Sequence, residues 1–143
     1  MRVTELMHVP PVTCEVSATL GDVAGVMRER NVGSVLVVDN IGYLAGIVTD
    51  RDITIRGMAG GRTADSKVEH VMSRDVATIG LHADVSDAAS VMAKRMVRRL
   101  PVVDEEDRPH GMVTFDDMVR HLGTETDALA DLVILQASRL AGT

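Results

Sequence analysis

The sequence predicts an α+β fold in which one β-α-β-β-α unit is written twice and followed by an extra C-terminal helix. Three observations lead there. Gly46-Ile47-Val48-Thr49-Asp50-Arg51-Asp52 is echoed by Gly111-Met112-Val113-Thr114-Phe115-Asp116-Asp117, with Gly, Val, Thr and the final Asp in step. The echo keeps one offset (residue 46 to residue 111) without a gap, so that Met7 maps onto Met72, Thr13 onto Thr78, Asp22 onto Asp87, Met27 onto Met92 and Val37-Val38-Asp39 onto Val102-Val103-Asp104. Within each copy, short β-branched runs alternate with a stretch of helical period.

Each element has its own reason. Residues 2–8 can form one helical turn, which Pro10-Pro11 stops. Pro10 to Cys14 reads as extended chain. Thr19-Leu20-Gly21-Asp22 is a capping start for a helix, and Leu20, Val23, Ala24 and Met27 give it one apolar face. Asn31 and Gly33 end it. Ser34 to Asp39 is a buried strand, Asn40-Ile41-Gly42 a hairpin turn, and Tyr43 to Val48 the returning strand. Thr49 opens a second helix that carries Ile53 and Ile55 and that Gly57 closes.

The second copy runs the same course. Ser66 to Met72 is a helical turn and Ala77-Thr78-Ile79 is extended. Asp84 caps a helix with the face Val85, Ala88, Ala89, Met92. Leu100 to Asp104 is a strand with Pro101 near its start, and His110 to Val113 returns. The domain limits expected are 1–65 for the first repeat with its linker, 66–124 for the second, and 125–143 for the C-terminal helix. That helix suits a subunit contact or the cover of a sheet.

Composition narrows the function. With 143 residues, each repeat has roughly 60, a size at which an isolated core is marginal, so the halves are expected to share one. Tyr43 and Phe115 are the two aromatics and there is no Trp, so the core must be aliphatic, with nine Met contributing. A net charge of −6 argues against non-specific nucleic-acid binding, which needs Lys and Arg to displace counterions. The single Cys14 cannot close an intrachain disulfide. The N-terminus lacks a signal-peptide run, and no apolar stretch approaches the roughly 18 residues of a membrane span. A cytoplasmic protein without membrane contact is expected.

No catalytic constellation stands out. His8, His70, His82, His110 and His121 show neither H-E-x-x-H nor Cys/His metal spacing. No Ser sits in G-x-S-x-G. Gly57, Gly60 and Gly61 precede Lys67 without P-loop spacing, and read as a linker. The chain is therefore not expected to be an enzyme.

The doubled Gly-h-h-Thr-x-x-Asp, with Val-Val-Asp and a helix before it in both copies, resembles the CBS domain pair, or Bateman module, over about residues 2–122. The run Thr49 to Ile53 is also similar to stand-alone bacterial CBS-pair proteins of the hypoxic-response type. The resemblance implies tandem CBS repeats related by a pseudo-twofold axis, and two clefts that commonly bind AMP, ADP, ATP or another adenosyl ligand. It further implies assembly as a homodimer, and a protein partner that reads the ligand state.

The residues suit that chemistry. Asp52 and Asp117 are acceptors at a helix start, where a carboxylate can take both ribose hydroxyls. Thr49 and Thr114 offer hydroxyls at the same turns, and free N–H groups there favour phosphate. Thr-x-x-Asp is equally a capping pattern, Thr as N-cap and Asp in the first turn. By resemblance, the adenine slot would come from Thr13, Cys14 and Val35, and from Thr78, Ile79 and Leu100. Arg51, Arg98 and Arg99 are the phosphate candidates. The motif charges differ, −1 over residues 50–52 and −2 over 115–117, so the two sites are expected to be unequal. Arg98-Arg99 could face either cleft: the first is the favoured arrangement, and in the second they would compensate Asp116 and make the sites converge. The leading expectation is a regulatory module with an adenine nucleotide as ligand. Its rivals are a dimeric interaction scaffold without ligand, and a nucleotide hydrolase with no visible base or metal site.

Overall fold

In the computed structural model, residues 1–122 are described. The helix expected over 125–143 lies outside them. The described chain forms two three-stranded sheets, of order β1-β2-β3 and β4-β5-β6. The first holds β1 (Thr13–Glu15), β2 (Ser34–Val38) and β3 (Leu44–Thr49), and the second β4 (Ile79–Gly80), β5 (Arg99–Val103) and β6 (Pro109–Thr114). Helices α1 (Leu20–Arg30) and α3 (Val85–Arg95) follow the first strand of each sheet. Helices α2 (Asp50–Asp52) and α4 (Phe115–Leu122) follow the last.

The starts and stops come from local chemistry. Thr19 Oγ1 accepts the Asp22 N–H at 3.1 Å and the Asp22 carboxylate faces the Thr19 N–H, a reciprocal cap. Asn31 ends α1 at φ 51°, the left-handed conformation that an Asn tolerates better than most residues. The β2–β3 hairpin is held by Asp39, whose Oδ1 accepts from the N–H groups of Ile41 and Tyr43. Gly57 does not close the second helix. The chain runs on from α2 as a π-helical segment, Ile53–Met58, with Gly57 buried inside it. A Cβ on Gly57 would stand 3.3 Å from Leu20 Cδ1, so the missing side chain is what lets this segment approach the start of α1.

The second sheet is a shortened copy of the first. In the first, β1 runs parallel to β2, with Thr13 opposite Leu36, and Leu36 N–H donates to Val12 O at 3.0 Å. The position equivalent to Leu36 is Pro101, which has no N–H to give. β4 accordingly has two residues where β1 has three.

The two compact units do not follow the repeat limits. Of the described residues, one is built from Met1–Pro10, Ala77–Glu105 and residues 110–122; the other from Pro11–Val76 and Glu106–Pro109. The opening segment of each repeat thus packs on the core of the other repeat. Val3 belongs to the cluster with Ala88, Leu100, Val102 and Val113. Val68, Val71 and Met72 belong to the cluster with Val23, Val35, Val37 and Val48. The shared core expected from repeat length is corrected to two aliphatic cores. Each reaches sufficient size by taking a short helical turn from the neighbouring repeat.

This exchange explains the motif glycines. Ile47 and Ser73 form an antiparallel bridge in one unit, and His8 and Met112 the same bridge in the other. A Cβ on Gly46 would lie 2.7 Å from Ser73 O, and one on Gly111 would lie 2.8 Å from His8 O. Neither backbone oxygen has room to yield, so both positions require glycine for the close approach of the incoming segment.

Candidate functional site

The two Thr-x-x-Asp turns stand at equivalent places, one in each unit. In the first repeat, β2 is the middle strand, with Thr49 opposite Ser34 on one side and Thr13 opposite Leu36 on the other. Thr13, Cys14, Val35, Thr49, Arg51 and Asp52 are therefore brought to one region of one unit. In the second repeat, Thr78, Ile79, Arg98, Arg99, Leu100, Thr114 and Asp117 are brought together in the other. The Asp50 N–H donates to Gly33 O at 3.0 Å, and the Phe115 N–H donates to Arg98 O at 2.7 Å, so the helix start meets the strand start in the same way twice.

Both aspartates already carry capping bonds. Thr49 N–H donates to Asp52 Oδ2 at 2.9 Å, and Asp52 N–H donates to Thr49 Oγ1 at 3.1 Å. Asp117 N–H donates to Thr114 Oγ1 at 3.2 Å, while the Thr114 hydroxyl donates to Asp117 Oδ2. Their other neighbours differ. Asp52 Oδ1 faces Arg56 Nε at 4.0 Å, and the Arg56 guanidinium also donates to Val71 O at 3.1 Å. Asp117 Oδ2 instead receives His8 Nε2 at 2.7 Å. Spacing makes Arg56 legible, since it lies one helical turn beyond Asp52. His8 is 109 residues from Asp117, and no pattern in the sequence joins them.

The basic residues have different surroundings in the two units. Within its own unit, Arg98 Nη2 meets Asp116 Oδ1 at 2.6 Å and its guanidinium lies over the Phe115 ring at 5.7 Å. The extra negative charge of the second motif is thereby compensated inside its own unit. Arg99 opens β5 and is half-buried, whereas Arg51 is exposed at the start of α2. Position 33, equivalent to Arg98, is a glycine.

The adenine candidates divide by burial. Val35 and Leu100 are wholly buried in the two cores, and Ile79 is buried as well. Their side chains are spent on packing, which leaves backbone as what these positions can offer a base. Thr13 is exposed on β1, and Thr78 is half-buried just before β4. Cys14 is half-buried, and desolvation pushes its thiol up to about 11. It remains protonated at neutral pH and is a poor nucleophile. Among the described residues, no group of His, Cys, Asp and Glu is arranged to hold a metal ion. None of the described helices is long and apolar enough to cross a membrane.

Two three-stranded sheets, each ending in a Thr-x-x-Asp helix start, define a tandem-repeat α+β protein. The family model for the CBS domain matches twice, at residues 3–57 and 68–124, and the chain belongs to that family. It is 34% identical over 116 residues to the CBS domain-containing protein YhcV of Bacillus subtilis, covering 81% of each. It is 35% identical over 105 residues to hypoxic response protein 1 of Mycobacterium tuberculosis, covering 73% of each. Relatives from Acidianus ambivalens and Methanopyrus kandleri are longer, and the chain spans 63% and 62% of them. Among solved structures, the CBS domain pair of protein MJ0100, in complex with 5'-methylthioadenosine and S-adenosyl-L-methionine, aligns with a TM-score of 0.78 at 28% identity. That alignment covers 88% of this chain and 98% of the MJ0100 chain.

Proposed function

We propose that this chain is a regulatory, non-catalytic module of the cytoplasm that binds an adenosyl ligand such as AMP, ADP or ATP. It works as a homodimer and passes its ligand state to a protein partner. The observation that carries this reading is the duplicate turn: Thr49 with Asp52 and Thr114 with Asp117, each at a helix start beside the first residues of a middle strand. The carboxylate takes the ribose hydroxyls. The exposed Arg51 at the helix start attracts a phosphate. The bound adenosyl ligands of MJ0100 support the ligand class. A ligand regulates only through its differential affinity for two conformations of the module.

A second reading has its own support. Both aspartates are already satisfied as caps, and a scaffold without ligand would look the same. Thermal unfolding against adenosine, AMP, ADP, ATP and S-adenosylmethionine separates the two. A ligand at 100 times its Kd adds about 2.7 kcal/mol to stability, whereas a scaffold gains nothing from any member of the panel. Light scattering at micromolar concentration tests the dimer, for which a monomeric mass is the contrary result.

A further inference from the structure

The repeats are alike in sequence at the ribose turn and unlike in what touches it. Position 8 is His and its equivalent, position 73, is Ser. The exchanged segment of the first repeat crosses β6 through the His8–Met112 bridge and so brings the His8 ring to α4. There Nε2 donates to Asp117 Oδ2 at 2.7 Å, the same oxygen that receives the Thr114 hydroxyl. The His8 side chain is 67% exposed, and that of Asp117 is 24% exposed. In the first repeat the corresponding carboxylate has no imidazole against it: Asp52 receives Thr49 N–H on Oδ2 and faces Arg56 on Oδ1.

We propose that His8 is a ligand-competing residue of the second repeat, which makes the affinity of that repeat for a ribose diol depend on pH while the first repeat stays indifferent. The proposal rests on the adenosyl-binding reading above. A diol must donate to both carboxylate oxygens, and on Asp117 one of them already holds two donors. To bind, the sugar displaces the exposed His8 ring from Oδ2. A neutral imidazole N–H gives the carboxylate one hydrogen bond, and an imidazolium adds the attraction of a full positive charge to it. Protonation gives the ring that charge, so the competitor strengthens as pH falls. Diol binding then releases a proton from His8. The charged and titratable groups on the elements against which His8 packs are Asp116, Asp117, Arg120 and His121 of α4, and His110 of β6. Asp116 is engaged by Arg98 and His110 by Asp104. Asp117 meets the ring directly.

Adenosine is the probe for the test because it carries no phosphate to titrate. Calorimetry is done on the full chain carrying Asp52→Ala, which silences the first repeat, at pH 8 and pH 5.5. The affinity is expected to fall about tenfold on acidification. Adding His8→Gln, which keeps a side-chain donor without a titratable ring, should bring the ratio of the two affinities close to one. At a pH inside the imidazole range, the heat of binding to the His8 chain should vary with the buffer's protonation enthalpy. The heat for the His8→Gln chain should not. A pH effect that survives His8→Gln, or its absence from the Asp52→Ala chain, overturns the proposal. Adenosine binding that only Asp52→Ala abolishes overturns it too, but leaves the adenosyl-binding reading standing. Silence of the wild-type chain towards adenosine, AMP and ATP overturns both.

Discussion

Arg98 meets Asp116 at 2.6 Å, and at the equivalent positions of the first repeat stand Gly33 and Arg51. The second motif therefore carries an internal ion pair at positions where the first has a glycine and an exposed arginine at the helix start. The Arg98 side chain is 18% exposed and that of Asp116 is 46%, so the pair is partly screened and is worth about 1 kcal/mol rather than several. Its larger effect is on the field a phosphate would meet.

That difference predicts two separable arginine phenotypes. Arg51→Ala should flatten the rise in first-repeat affinity from adenosine through AMP to ATP, and leave adenosine binding unchanged. Arg98→Ala should expose the Asp116 charge and lower the AMP-to-adenosine preference of the second repeat by about fivefold, the equivalent of about 1 kcal/mol. Both effects should shrink with added salt. Calorimetry on the Asp117→Ala and Asp52→Ala backgrounds reads each repeat by itself. An equal response of both repeats to Arg51→Ala would refute this assignment.

The ribose turns predict a split between affinity and stability. Asp52→Ala and Asp117→Ala should each cost about 1.5–3 kcal/mol of ligand binding at their own repeat, the worth of hydrogen bonds to a charged group. That is roughly ten- to hundredfold in Kd. Thr49→Ala should cost about 1 kcal/mol of folding stability through the lost cap. Urea unfolding and calorimetry on the same samples check both. Stability loss with unchanged affinity in the Asp variants marks them as caps alone.

Gly46→Ala and Gly111→Ala should each destabilise the fold by about 2–4 kcal/mol. The added methyl meets a backbone oxygen at 2.7 Å in the first case and 2.8 Å in the second, and must open the bridge that carries the exchanged segment. Gly25→Ala, whose Cβ would meet nothing within 4 Å, is the control and should be neutral or slightly stabilising. Equal midpoints in urea for all three variants would contradict the close-approach argument.

Cys14 predicts a pH dependence with a definite sign. Burial raises the folded-state thiol to about 11 from a model value of 9.0. The unfolded chain therefore loses its thiol proton first. The stability due to the buried neutral thiol is fully present below pH 9, and falls as pH rises from there towards 11. Cys14→Ala should remove that part of the alkaline decline. At pH 8 the native thiol should alkylate far more slowly than the urea-unfolded one.

The sequence alone determined the repeat, the order of its elements and the identity of both Thr-x-x-Asp turns. These features are local. Capping at Thr19, the turn at Asp39 and the left-handed end at Asn31 depend on residues within four positions of each other. Arg56 beside Asp52 is legible for the same reason. Only the tertiary structure decided which core each opening segment completes. Val3 and Val68 are equivalent, equally apolar residues, and either core would accept either one on composition. Chain connectivity and the bridges at Met112 and Ile47 make the choice. That choice carries His8 to Asp117, buries Val35 and Leu100 beyond a ligand's side-chain reach, and turns the motif glycines into contact points. It also places Arg98 on Asp116. Contacts of this kind join residues far apart in the chain, and their side chains meet only once two cores have been closed by exchanged segments.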